Sequence, residues 1–345
     1  MARRKARGGR RGGSGVAVFL LFLLLVAVPL ACAAWLVLTP FGPTSETFVT
    51  IPPGSSATAI ARKLEAAGIV RTRYAFDLVR AWHHGKLQAG TYRFDHPLPV
   101  DEVYAQIAHG GVFTLTLTVP EGANMFDIAA RVEQAGLANR HDFLVAAQTQ
   151  IELIADLDPA ASSLEGYLFP DTYRLPPTIT ASEIAAAMVK RFRQAAAQLG
   201  LDQNVHQVVT IASLVERETA VDSERPLVAS VFENRLAKQM PLKTDPAVIY
   251  GLELGGRWRG AIYASDLTRD TPYNTYLRTG LPPGPVANPG MASLRAAMDP
   301  AQTNYLYFVA AGVNAQGHSR FSSTLDEHNR NVAEYRAAQK KAGAR

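Results

Sequence analysis

The chain has 345 residues, of which 48% are apolar and 19% charged. That is enough for roughly two domains with real cores, and it excludes a disordered chain. The net charge of +5 requires no nucleic-acid partner, because Arg3, Arg4, Lys5, Arg7, Arg10 and Arg11 lie in an acid-free N-terminal stretch and leave the remainder close to neutral.

Residues 1–15 form this basic tail. Residues 16–38 then run without a charge, long enough for the roughly 20 apolar residues that a bilayer-spanning helix needs. Pro29 interrupts the run, which a membrane helix tolerates. The basic tail predicts a cytoplasmic N-terminus with everything after Leu38 outside the inner membrane. A cleaved signal peptide is the rival reading, since Ala31-Cys32-Ala33 resembles a small-residue cleavage site. The apolar run, however, exceeds the usual 7–15 residues. A lipid anchor on Cys32 fits poorly, because Pro29 and Leu30 precede it. Cys32 is the only cysteine, so the exported part has no disulfide, thiol nucleophile or cysteine-based zinc site.

Residues 39–46, with Pro40, Gly42 and Pro43, read as a linker. An internal repeat follows. Residues 51–69 (IPPGSSATAIARKLEAAGI) and 119–137 (VPEGANMFDIAARVEQAGL) match at a constant offset, pairing Pro52, Gly54, Ile60, Ala61, Glu65, Ala67 and Gly68 with identical residues. Each copy predicts a strand, a Pro/Gly turn and a helix stopped by glycine. Gly90–Phe94 and Asp171–Leu175 supply a later strand to each, giving two strand–helix–strand modules. Glycan binding and a structural spacer are both open for them.

From Val205 the texture changes. Residues 205–219 predict one mostly buried helix with a polar stripe of His206, Thr210, Ser213 and Arg217. Further helices are expected around 223–238, from Asp245-Pro246, over 293–298 and over 325–341. A strand is expected at 305–310. The Pro/Gly-dense run 280–290 excludes regular structure.

Glu216 and Glu218 end the buried helix about 160° apart around its axis, so they cannot share one bond. Glu218 lies on the apolar face and at the C-terminus. Desolvation and the helix dipole there both favour the protonated carboxyl that a general acid at neutral pH needs. Glu216, with Arg217 beside it and Arg225 and Arg235 nearby in sequence, suits an ion pair. Both glutamates could equally be salt-bridged at a helix end. Tyr273, Asn274 and Tyr276 place two aromatics and an amide beside a turn, and with Asn234 and Asn288 they are candidates to hold a sugar. Each of these asparagines could instead be a turn or cap residue. His318 and His328 with Asp326 or Glu327 match no usual metal-site spacing, and no metal or organic cofactor is expected.

The segments IASLVERETAV (211–221), ERPLVASVFENRL (224–236), LKTDPAVIYGL (242–252), PYNTYLRTGLPPGPVANPG (272–290), NYLYFVA (304–310) and GHSRFSSTLDEHN (317–329) run in order. Together they resemble the endolytic murein transglycosylase family, the YceG-like proteins. AGTYRF (89–94) and LEGYLFPDTYRL (164–175) fit it too. The resemblance implies an α+β chain: one N-terminal transmembrane helix, a LysM-like region over 47–204, and a mixed α/β catalytic domain over 205–345. It places the catalytic carboxyl on Glu218, the second glutamate of the E-x-E-T motif. Tyr273, Asn274, Tyr276, Asn288 and Asn234 are expected to bind substrate, with Glu216 and Arg225 structural beside them. The implied reaction cleaves the β-1,4 bond between N-acetylmuramic acid and N-acetylglucosamine in nascent strands, leaving 1,6-anhydro ends and terminating polymerisation. The implied partners are peptidoglycan strands, the inner membrane and peptidoglycan synthases of the penicillin-binding class. A non-catalytic, membrane-anchored scaffold that binds wall or wall synthases is the competing class. A hydrolase of another polysaccharide is a third, disfavoured because the anchor confines the protein near the membrane.

Overall fold

The computed structural model describes residues 13–312 and 317–342. Residues 1–12, which carry every charge of the basic tail, lie outside these residues. The chain divides into two compact units, Met1–Thr114 and Leu115–Arg345.

The first unit begins with α1 (Gly13–Leu38), whose segment Val18–Leu38 is apolar and long enough to cross a membrane. β1 (Thr47–Ile51), α2 (Ala57–Ala66), α3 (Arg73–His83), β2 (Gly90–Phe94) and α4 (Val100–Ala108) follow. β1 and β2 pair antiparallel from Thr47↔Phe94 to Ile51↔Gly90. The period-two alternation of β1 sends Val49 and Ile51 inward, where they meet Ile60, Leu64, Phe76, Tyr92 and Phe94. Ser56 caps α2 by accepting from the Ala59 amide, and Thr72 caps α3 by accepting from Tyr74.

The second unit opens with the second copy of that pattern: β3 (Leu115–Thr118), α5 (Met125–Gln134), α6 (Arg140–Thr149) and β4 (Thr172–Leu175). β3 and β4 pair antiparallel from Leu115↔Leu175 to Thr118↔Thr172. The repeat is faithful in backbone detail. The turn glycines Gly54 and Gly122 sit at φ 77° and 76°, and the helix-stop glycines Gly68 and Gly136 at 68° and 67°, left-handed values that glycine adopts without strain. Each module nevertheless holds two helices between its strands, not one. α3 was missed because it carries apolar side chains on both an inner face (Ala75, Phe76, Val79) and an exposed one (Tyr74, Leu78, Trp82). α6 was missed because two of its three buried residues are the alanines 146 and 147.

The second unit continues with α7 (Ala181–Leu199), α8 (Val205–Glu218), α9 (Arg225–Ala237), α10 (Asp245–Leu254), the short α11 (Ala264–Leu267), α12 (Met291–Met298), β5 (Tyr307–Ala310), β6 (Ser319–Ser322) and α13 (Leu325–Ala342). β5 and β6 pair antiparallel. The boundary expected between residues 204 and 205 falls inside this unit. One apolar core runs from Leu117 and Ile128 of the second module through Phe192 to Val209, Leu214, Phe232 and Leu294, so neither part could be separated without exposing the other. The 280–290 run contains no helix or strand. The chain is thus a mixed α+β protein with one apolar N-terminal helix.

Candidate active site

α8 is the buried axis of the second unit. Val209, Thr210, Ile211, Ala212, Ser213, Leu214 and Val215 are all inaccessible, so the middle of the expected polar stripe, Thr210 and Ser213, is internal, while Arg217 is exposed. The Ser213 hydroxyl donates to the Thr210 carbonyl (2.7 Å) and accepts from the Val286 amide (3.1 Å), tying α8 to the proline-rich run. His206 Nδ1 lies 2.8 Å from Asp158, and its Nε2 lies 3.1 Å from the Pro283 carbonyl.

The two glutamates at the end of α8 divide as their angular separation requires. Glu216 turns toward Arg225, whose Nη1 donates to it at 2.8 Å, with both side chains buried. The Gly290 amide donates to its other oxygen at 2.9 Å, and Arg225 also donates to Ser293 (2.6 Å). This cluster fastens α8 to the starts of α9 and α12. Glu218, the last helical residue, faces a cleft of about 460 Å³. Glu218 as a whole is half-buried. Its pKa is pushed up to about 7, first by burial and second by the negative charge of Asp245, against the opposing pull of Arg235 and Arg217.

Besides Glu218, five segments wall this cleft: Phe232 and Arg235 of α9, Leu242 to Asp245 leading into α10, Tyr276, Tyr307 of β5 and His328 of α13. Arg235 is fixed in place. Its Nε donates to the Leu306 carbonyl (2.7 Å), its Nη1 to the Leu242 carbonyl (2.6 Å), and its guanidinium lies 5.4 Å from the Tyr307 ring centre. The Tyr276 hydroxyl donates to Asp245 at 2.7 Å. His328 stacks on Tyr307 with ring centres 5.1 Å apart. Burial and Arg235 depress its pKa, which keeps the imidazole neutral at neutral pH.

Of the residues expected to bind sugar, only Tyr276 joins Glu218 in the cleft. The Asn274 amide is spent internally, donating to the carbonyls of Leu267 (3.0 Å) and Arg269 (2.7 Å) and accepting from the Tyr276 amide (3.0 Å). It shapes the loop that carries Tyr276. Asn288, fully buried, donates to the Ala123 carbonyl (3.0 Å) and to Glu165 (2.7 Å) and accepts from Leu168 (2.8 Å). Asn234 donates to the carbonyls of Thr303 and Tyr305 (2.9 and 3.0 Å). Tyr273 packs edge-on against Tyr250 with ring centres 5.0 Å apart, away from the cleft lining. Sequence spacing identified chemically apt side chains, but buried amides satisfy nearby carbonyls first.

Asp245, Tyr307 and His328 were not anticipated at the site, and Arg235 was anticipated only as a partner for Glu216. Asp245 carried a signal solely as a helix start, and nothing in the local sequence brings it beside a glutamate of α8. Glu218 is therefore not the single carboxylate of the cleft. The histidine pair weighed as metal ligands does not converge: His318 Nδ1 lies 2.9 Å from Glu224, whereas His328 stacks on Tyr307. Among the described residues no three His, Cys, Asp or Glu side chains gather at one point.

The chain belongs to the YceG-like family, whose profile matches residues 49–334. It is 33% identical over 308 residues to a Bacillus subtilis protein named endolytic murein transglycosylase, covering 83% of this chain and 84% of that one. It is 32% identical over 335 residues to a Streptococcus pneumoniae protein of the same name, covering 86% of this chain but only 60% of the longer relative. A crystal structure of a yceG-like protein from Listeria monocytogenes, 32% identical, superposes with a TM-score of 0.54 over 84% of this chain and 99% of that one.

Proposed function

We propose that this chain is a membrane-anchored lytic transglycosylase that cuts peptidoglycan within the glycan strand, with Glu218 as its acid and base. The observation that carries this reading is Glu218: a half-buried residue lining the cleft, with its pKa raised to about 7. It can therefore hold a proton at neutral pH and still release it. Family membership and the names of the relatives support the substrate class.

In the proposed reaction, protonated Glu218 donates to the glycosidic oxygen and the bond from the muramyl C1 to that oxygen breaks. The resulting carboxylate takes the proton of the muramyl C6 hydroxyl as that oxygen attacks C1. A 1,6-anhydro ring closes, and Glu218 is protonated again without consuming water. The substrate supplies the nucleophile, so one carboxyl suffices. Tyr276 offers an aromatic face at the cleft, and Arg235 opposes the negative charge that forms on Glu218.

The remaining assignments follow from this reading. Val18–Leu38 spans the inner membrane, the catalytic unit lies on the periplasmic side, and the substrate is the nascent strand beside the bilayer. Cutting there terminates polymerisation, which makes peptidoglycan synthases natural partners. The two strand–helix–helix–strand modules correspond to the LysM-like region of this reading, with glycan binding or a spacer role open for them.

Asp245 favours one second reading, hydrolysis by two carboxylates. Mass analysis of products from purified glycan strands separates the two. Anhydro-muramyl ends are the expected result, and reducing ends would make the protein a hydrolase.

A further inference from the structure

α3 has an apolar stripe that stays exposed among the described residues of the first unit. Tyr74, Leu78 and Trp82, spaced i, i+4 and i+8 on one face, are 66%, 52% and 83% exposed. An isolated exposed tryptophan is unremarkable, but a stripe of three on a helix whose core face, Ala75, Phe76 and Val79, is already buried needs an environment. That environment is indicated by what the stripe adjoins. Leu78, Trp82 and His83 line one groove with Leu30, Ala33 and Val37 of α1, and those three residues belong to the apolar segment Val18–Leu38.

The length of α1 decides whether this groove lies in water or in lipid. If Leu30 to Leu38 stood outside the membrane, Val18 to Pro29 would remain. That is a span of about 18 Å against a hydrocarbon core of about 30 Å. The segment reaches across only if its last two turns are also in the bilayer, and α3 packs beside those turns. The chemistry of α3 agrees. Tyr and Trp favour the interfacial belt, and the segment 71–86 carries Arg71, Arg73, Arg80 and Lys86 against the single acid Asp77, a charge suited to anionic headgroups.

We propose that the Tyr74–Leu78–Trp82 face of α3 is seated in the outer leaflet of the membrane that α1 spans, so that the first module is moored to the lipid surface by a second contact. This rests on the membrane-anchor part of the proposed function. The anionic phospholipid surface is its binding partner, drawn by the net positive charge of the segment 71–86, and Arg73 lies 4.8 Å over the Tyr74 ring at one end of the stripe. The module is thereby held in one orientation instead of swinging on the linker after Leu38.

The chain has three tryptophans, which makes the test direct. The full-length protein carrying Trp35→Phe and Trp258→Phe leaves Trp82 as the sole emitter. It is placed in nanodiscs of phosphatidylethanolamine and phosphatidylglycerol, with and without brominated acyl chains. Trp82 is expected to lose about half its emission to brominated lipid and to resist aqueous iodide, as for a ring within 5–10 Å of the headgroup boundary. A second single-tryptophan chain, with Leu78→Trp added and Trp82→Phe, reports the same face independently. A third, keeping only Trp35, reports insertion of α1. Quenching of Trp35 by bromolipid with Trp82 open to iodide would overturn the mooring and leave the anchor standing. Trp82 shielded from both quenchers would overturn it in favour of a protein contact, such as a second copy of the chain. Failure of Trp35 itself to be quenched would remove the anchor and the mooring together.

Discussion

Glu218 and Glu216, two residues apart on one helix, show how far a side chain's chemistry is set by the face it occupies. Glu216 meets Arg225 and is held as a buried fastening; Glu218 meets a cleft, loses solvent and lies beside Asp245. Because Asp245 adds negative charge, neutralising it lowers the Glu218 pKa. Only the protonated acid starts the proposed reaction, so cleavage should hold steady below about pH 7 and fall roughly tenfold per unit above it. In Asp245→Asn that alkaline limb should move to lower pH, measured as the rate of strand cleavage against pH. The move should be partial, since burial is the larger cause and is unchanged. An unmoved limb would mean that the two carboxyls do not interact. The half-buried position of Glu218 was legible in the sequence because helix periodicity reports which side of α8 is buried; its role as the acid comes from the family resemblance and stands as the proposal. Its neighbours were not, since Asp245, Tyr307 and His328 reach the cleft through tertiary packing. The asparagines misled because their amides suit a sugar and a backbone carbonyl equally well.

At the scale of elements, the repeat was legible because its turn and stop glycines are backbone requirements, visible wherever a left-handed residue is needed. The second helix of each module left a weaker mark, with apolar residues on two faces in α3 and small ones in α6. Gly166 shows how tightly the elements of the second unit close on one another. It sits at φ 89°, and a Cβ there would lie 2.5 Å from Pro285 Cγ and 2.8 Å from Val209 Cγ1. The segment after α6 thus packs directly between α8 and the proline-rich run. Gly166→Ala combines backbone strain with overpacking and should cost roughly 2–4 kcal/mol. A thermal melt should register this as a fall of roughly 5–15 °C in a unit of this size. An unchanged melting temperature would show the three segments to be loosely joined.

For the molecule as a whole, the informative departure from expectation is the joining of the second module to the helical part. A region boundary was placed where the composition changes, but composition does not report that Leu117 and Val209 share a core. Glu165 marks this junction. It is fully buried, accepts from the Met125 amide (2.9 Å) and from Asn288 (2.7 Å), and burial pushes its pKa from 4.5 up to about 8. The folded state therefore keeps a proton that the unfolded chain releases, and this unit should lose stability as pH rises from about 4.5 to 8. Glu165→Gln should flatten that loss, measured by chemical denaturation across the range. An equal slope in both proteins would show Glu165 to be ionised when folded. The central claim is that one carboxyl on α8 carries the bond cleavage. Its most direct test is side-by-side digestion of purified glycan strands by the parent and by Glu218→Gln, with products resolved by mass. The expected result is anhydro-ended fragments from the parent and at least a roughly hundredfold slower release from a Glu218→Gln protein with parental melting behaviour. Comparable release from both would contradict the claim.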